Sequence, residues 1–251
     1  MIEICDYSID FNGRELLHGC NADFRDGELT ALIGRNGAGK STLLRSIVGL
    51  ETRFRGKITV DGEPVKSMSP NERARRMALV ATRRERVPGL TARQAVELGR
   101  APYTSWSGSL SEDDSHIVEN SLSSVGMEKY AGRRLDTLSD GEYQKIMIAR
   151  ALAQDTGVLL LDEPTSFLDQ PGRYGLCRLL AGLAHDQGKC VVFSTHEIDV
   201  AFELCDSIAL IVPPGIRCMT AAELSQSGLM EANFTTEFVT FDPEVNRIVG
   251  R

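Results

Sequence analysis

The hydrophobic period of the chain changes several times. Residues 1–33 alternate apolar and polar positions in short runs, broken at residues 12–15 and 25–28 by Asn-Gly-Arg-Glu and Arg-Asp-Gly-Glu. That pattern predicts antiparallel hairpins. Residues 28–34 then read as a buried strand ending in glycine. After them Leu43, Leu44, Ile47 and Val48 recur at helical spacing, with Gly49 near the helix end. Residues 56–65 predict another hairpin turning at Asp61-Gly62. From about 90 to 153 the period is mostly helical, and Ser111 with Asp114 and Ser139 with Glu142 have the spacing of capped helix starts. Residues 157–163 and 189–195 are different. Each is a continuous apolar run, as expected of a central parallel strand covered on both faces, and residues 173–188 between them read as the crossover helix. Residues 206–214 predict a last strand, and the tail beyond about 213 has a weaker pattern.

These elements predict an α/β fold. Residues 1–82 and 151–212 form a mixed-sheet core with an N-terminal antiparallel β subdomain, 83–150 an inserted α-helical subdomain, and 213–251 a C-terminal tail. The net charge of −7 and isoelectric point near 5.2 argue against general affinity for nucleic acid. A local basic cluster is compatible with that balance, and one occurs at Arg73, Arg75, Arg76, Arg83, Arg84 and Arg86. No apolar run approaches the ~20 residues of a membrane-spanning helix. The first ten residues carry acids and no positive segment, so no signal peptide is expected. Six scattered cysteines without Cys-x-x-Cys spacing read as free thiols in a reducing cytosol.

Two stretches carry chemistry. Gly34-Arg35-Asn36-Gly37-Ala38-Gly39-Lys40-Ser41-Thr42 fits G-x-x-x-x-G-K-[ST] between a predicted strand and a predicted helix. Its glycines allow backbone N–H groups to turn toward phosphates, and the helix start adds partial positive charge. Lys40 is placed to reach the β- and γ-phosphates and Ser41 to ligate Mg²⁺. The run Val158–Asp162 ends in a carboxylate and is followed by Glu163, at the sheet edge where open α/β sheets bind ligands. Asp162 is expected to hold Mg²⁺ through water and Glu163 to polarise the attacking water.

With Leu138-Ser139-Asp140-Gly141-Glu142, Ser166-Phe167-Leu168-Asp169 and His196 added, the chain resembles the ABC-type ATPases over nearly its whole length. The resemblance implies a P-loop ATPase fold and a homodimer that sandwiches two ATP molecules head to tail with Mg²⁺. It implies that Ser139 and Gly141 face the partner's phosphate loop, that Asp169 joins the two sites, and that His196 bonds the γ-phosphate. Phe11, 29 residues before Lys40, stands where the family places the aromatic that stacks on adenine; Tyr7 is the rival. Residues 90–103, with Val96-Glu97-Leu98-Gly99-Arg100-Ala101-Pro102, are similar to subunits that import iron–siderophore, haem or cobalamin complexes. The expected partners are polytopic membrane permease subunits and, indirectly, a substrate-binding protein. The expected location is the cytoplasmic face of a prokaryotic membrane, with Arg83, Arg84 and Arg86 starting the loop that meets the permease.

The chain departs from the family pattern at two sites. Asp140 and Glu142 replace the usual glycine and glutamine of the signature. Thr82 stands where a glutamine normally reaches Mg²⁺ and water, so a metal contact from Thr82 would be direct or bridged by water. That change leaves open a second reading, a soluble ATPase acting as an assembly or scaffold factor. A nucleic-acid-binding ATPase is a third, weakened because the chain has neither a second cassette nor a long coiled coil.

Overall fold

The computed structural model describes residues 1–11, 13–82, 87–104 and 108–251, with the side chains of Phe11 and Arg14 outside that description. Arg83, Arg84 and Arg86 lie outside the described residues. The chain opens with strands β1 (Ile2–Phe11), β2 (Arg14–Phe24) and β3 (Leu29–Gly34) and helix α1 (Lys40–Ile47). Then come β4 (Phe54–Val60), β5 (Glu63–Pro64), α2 (Pro70–Arg76) and β6 (Met77–Val80). Helices α3 (Ala92–Glu97), α4 (Glu112–Ser124) and α5 (Asp140–Ala153) follow. The second half runs β7 (Val158–Asp162), α6 (Gln170–His185), β8 (Cys190–Ser194), α7 (Ile198–Leu204), β9 (Ser207–Val212) and β10 (Gly215–Met219). Helices α8 (Ala221–Gln226) and α9 (Leu229–Phe234) and the hairpin β11 (Val239–Asp242) and β12 (Arg247–Gly250) complete the described chain.

Strands β2-β1-β4-β5 form an antiparallel sheet, and β10-β9-β3-β8-β7-β6 form a mixed one. Within the second sheet β9, β3, β8, β7 and β6 are parallel and only β10 is antiparallel. The alternation of side chains explains the apolar runs. Val158 and Leu160 of β7 join the cluster under the antiparallel sheet and α1, while Leu159 and Leu161 join the cluster under α6 and α7. Both faces are buried, so every position of the strand has to be apolar until Asp162.

A third cluster holds α3, α4 and α5 together through Val96, Val118, Leu122 and Ile146. The segment around Arg100 locks this lobe. A Cβ on Gly99 would collide with the Arg150 carbonyl, so only glycine permits so close an approach to α5. Arg100 is buried; its Nε donates to Asp114 Oδ1 at 2.7 Å and its Nη1 to the Ala153 carbonyl at 2.9 Å. Asp114 also completes the capping box with Ser111 at the start of α4. These Ser111 hydrogen bonds, with the Arg100 guanidinium, hold the Asp114 carboxyl at a pKa of about 2.

Helix α2 was not expected from the periodicity, because none of its residues is buried. Its signal was local: Ser69, Pro70 and Glu72 make a capping box with proline in the first turn. The weakly patterned tail forms β10, two short helices and the final hairpin, with Met230 and Phe241 buried on the α6–α7 side. The cysteines are free, and Cys20, Cys177 and Cys190 are buried.

Removing Arg100 leaves Asp114 and the Ala153 carbonyl without their buried partner. Arg100→Ala should therefore lower stability by about 3–5 kcal/mol, read by urea unfolding at neutral pH. The deficit should shrink below pH 3.8, where the lowered Asp114 value ceases to stabilise the fold as pH falls toward about 2. A change under about 1 kcal/mol would show that the lobe does not depend on this pair.

Candidate active site

Because β3, β6, β7 and β8 are parallel neighbours, their carboxyl ends emerge at one edge of the sheet. Strand β3 delivers residues 34–42. A Cβ on Gly34 would lie 2.8 Å from the Ile211 carbonyl oxygen, so the loop leaves the sheet against the β9 backbone. Gly39, at φ 106°, is the N-cap of α1 and provides no side-chain cap. Helices α2, α3, α4, α5, α6 and α8 are each capped by a serine, threonine or aspartate. The first N–H groups of α1 instead face a cleft of about 360 Å³ lined by Leu16, residues 36–42 and Glu163. An anion is the complementary occupant of such a helix start.

Lys40 is 6% exposed and its Nζ donates to the Gly34 carbonyl at 2.8 Å. His196, two residues beyond β8, brings Nε2 to 3.4 Å from Lys40 Nζ and 2.8 Å from Glu163 Oε1. Ser166 donates to Glu163 Oε2 at 3.3 Å. Asp162 ends β7 beside Ser194, whose hydroxyl donates to Asp162 Oδ1 at 2.7 Å and accepts from the Glu163 N–H at 2.9 Å. Glu163 has φ +51°, a left-handed conformation that costs a non-glycine residue about 1–2 kcal/mol. Thr82, just past β6, donates its hydroxyl to the Asp162 main-chain carbonyl at 2.9 Å.

The structure therefore gathers Asn36, Gly37, Ala38, Gly39, Lys40, Ser41, Thr42, Asp162, Glu163 and His196 at one edge, with Thr82 bonded to the acidic strand from its neighbour. Ser139 and Gly141 stand apart, at the start of α5, and are not among the residues lining the cleft. Gly141 packs under the loop after β7, where an added Cβ would sit 3.2 Å from the Phe167 carbonyl oxygen. Asp169 caps α6 by accepting from the Gly172 N–H at 3.0 Å. The backbone of Phe11 pairs with Arg14 at the end of β1, and its side chain lies outside the described residues. Tyr7 is excluded as the stacking ring. It is fully buried, its ring lies 5.3 Å from that of Phe54, and its hydroxyl bonds Ser46 at 2.8 Å. Burial pushes that hydroxyl up to about 12.

The sequence reading missed Ser194 and Leu16. A polar residue closing the apolar run of β8 was the available signal for Ser194; Leu16 carries none, since only folding brings β2 beneath the loop. The residue types suit Mg²⁺, because the Ser41 hydroxyl and the Asp162 carboxylate are hard oxygen donors.

The ABC transporter family profile matches residues 17–166. The chain belongs to the ABC transporter family. It is 38% identical over 211 residues to an uncharacterised ABC transporter ATP-binding protein of Methanocaldococcus jannaschii, covering 84% of this chain and 73% of that protein. It is 34% identical over 244 residues to the iron(3+)-hydroxamate import ATP-binding protein of Bacillus subtilis, covering 96% of this chain and 90% of that protein. Its fold matches a dimeric bacterial ABC transporter cassette with a TM-score of 0.78 at 26% identity, over 88% of this chain and 99% of that one. That cassette is also known in a post-hydrolysis state bound to ADP and Pi.

For a member of the ABC transporter family, the unusual signature has a local explanation. Glu142 closes the capping box: its carboxylate accepts from the Ser139 N–H at 2.8 Å and lies 3.5 Å from Arg133. The bond from the Ser139 N–H is the largest influence holding its carboxyl below the usual range. Asp140, exposed in the first turn of α5, sits where a helix favours negative charge.

Burial pushes Lys40 below the ordinary lysine range, against the opposing pull of Glu163 and Asp162. Phosphate attraction needs the protonated amine. ATP affinity should therefore weaken as pH rises toward 10.5, before a free lysine would titrate. Titration calorimetry between about pH 7 and 10 checks this; a flat profile would mean that Lys40 stays charged throughout.

Proposed function

We propose that this chain is the ATP-binding and hydrolysing subunit of an ABC importer for an iron chelate or a similar metal-containing cargo. The observation that carries the reading is the uncapped start of α1 beside Lys40, with Glu163 lining the same cleft, His196 bonded to Glu163 and Asp162 ending the strand just before it. The iron(3+)-hydroxamate relative, aligned over 96% of this chain, supports the cargo class. Among the described residues no helix is long and apolar enough to cross a membrane. The import role in the name of the iron(3+)-hydroxamate relative supports separate permease subunits as partners, met at the cytoplasmic face of the membrane. A substrate-binding protein is the further, indirect partner.

The chemistry follows from the positions of the groups. Backbone N–H groups of residues 36–42 and the Lys40 ammonium bind the ATP phosphates. Ser41 and Asp162 hold Mg²⁺, which when bound neutralises charge on the transferring phosphoryl group. Glu163 takes a proton from the attacking water, and His196, already 2.8 Å from that carboxylate, orients it and bonds the γ-phosphate. Ser139 and Gly141, at the start of α5, do not line the cleft of their own chain. They act on the nucleotide of a second copy, with Asp169 at the junction.

The Thr82 substitution favours a second reading, a soluble scaffold ATPase, because a glutamine is normal at that position. Co-purification from the native host separates the two: a polytopic membrane protein supports the importer, a soluble complex the scaffold.

Glu163→Gln should retain ATP and accumulate a dimer while turnover falls ~10²- to 10⁴-fold, measured by phosphate release and light scattering. Unchanged turnover would remove Glu163 from the reaction. Asp140→Gly, which deletes a negative charge facing the partner's γ-phosphate, should strengthen ATP-induced dimerisation several-fold. Weaker dimerisation would mean that Asp140 contributes more to the start of α5 than it repels.

A further inference from the structure

The peptide joining Asp162 to Glu163 is held at both of its polar ends. Its carbonyl oxygen accepts from the Thr82 hydroxyl at 2.9 Å, and its N–H donates to the Ser194 hydroxyl at 2.9 Å. The two hydroxyls come from opposite sides: Thr82 follows β6, Ser194 ends β8, and these strands flank β7. A peptide's C=O and N–H point in opposite directions, so one side of the site grips each. Ser194 is fully buried and its hydroxyl donates a hydrogen bond to Asp162 Oδ1 at 2.7 Å. Its hydroxyl thus acts as donor and acceptor at once.

The grip has a conformational consequence. Rotating this peptide would change ψ of Asp162 and φ of Glu163 together, releasing Glu163 from φ +51° to the ordinary negative region. The same rotation would break both hydroxyl bonds. The left-handed turn that aims Glu163 at the cleft therefore persists because two neighbouring strands hold it.

We propose that Thr82 and Ser194 are positioning residues for the acidic pair, and that Thr82 acts through the main chain of Asp162 and not as a metal ligand. The proposal rests on the assignment of Asp162 and Glu163 given above. It also accounts for a short side chain where glutamine is usual. A β-hydroxyl two residues past the end of β6 reaches the backbone of the next strand.

The test uses the full chain with Thr82→Val, which keeps the shape and removes the hydroxyl, together with Thr82→Ser, Ser194→Ala and the Thr82→Val/Ser194→Ala double variant. The measurements are kcat and KM for ATP hydrolysis, ATP affinity across a Mg²⁺ titration, and Tm. Thr82→Val should lower kcat about tenfold or more, leaving KM and the half-saturating Mg²⁺ concentration within about threefold. Thr82→Ser should restore kcat to within about threefold. The double variant should be little worse than the poorer single one, because both bonds hold one peptide.

A rise of about tenfold in the Mg²⁺ requirement of Thr82→Val would make Thr82 a metal ligand and overturn the proposal. Effects that multiply in the double variant would also overturn it, as would a lower Tm with unchanged kcat. Unchanged turnover in Glu163→Gln would instead remove the underlying assignment, and the proposal with it.

Discussion

The in-register parallel pairing of β3, β8, β7 and β6 is the constraint on which the rest depends. Parallel strands end on the same side, so one edge of the sheet receives the phosphate loop, the acidic pair, His196 and Thr82 from segments far apart in sequence. Asp162 lies directly opposite Ser194 in that register. A slip of one residue would turn Asp162 into a buried face and carry an apolar side chain to the edge. The two apolar clusters on either face of β7 oppose such a slip, since each takes alternate residues of the strand.

Helix ends divide the molecule between structure and chemistry. Most of the helix starts are closed by their own side chains, often in reciprocal capping boxes, and need nothing further. Helix α1 is not, and the groups left open there face the cleft. The start of α5 is an intermediate case. Ser139 and Glu142 satisfy each other, yet the turn remains exposed on the helical lobe, away from the cleft of its own chain. The open start of α1 and the exposed start of α5 are thus separate features of one chain, as the proposed head-to-tail dimer requires.

The positions that depart from the family pattern are not defects in the local structure. Glu142 does the work of glutamine in the capping box and gains Arg133 as a neighbour. Asp140 occupies a helix start that suits a carboxylate. Thr82 exchanges a long reach into the cleft for a short bond to the adjacent strand. The segment that suggested metal-chelate importers has a structural role as well: Gly99 and Arg100 close the helical lobe against Asp114 and the end of α5.

Much of this was legible in the sequence wherever the signal was local. The glycine spacing of residues 34–42 requires a strand before it and a helix after it. The unbroken run before Asp162 requires a strand buried on both faces. Ser-x-x-acid spacing marks the starts of α4 and α5. What the sequence could not determine were contacts between segments that only the sheet order brings together. Thr82 and Asp162 are 80 residues apart, Tyr7 and Ser46 are 39 apart, and Leu16 comes from a different sheet than the loop it touches. Whether a hydroxyl meets a metal, a carbonyl or solvent depends on which strand lies beside it. Composition and periodicity carry no record of that neighbour, and the tertiary structure alone decided it.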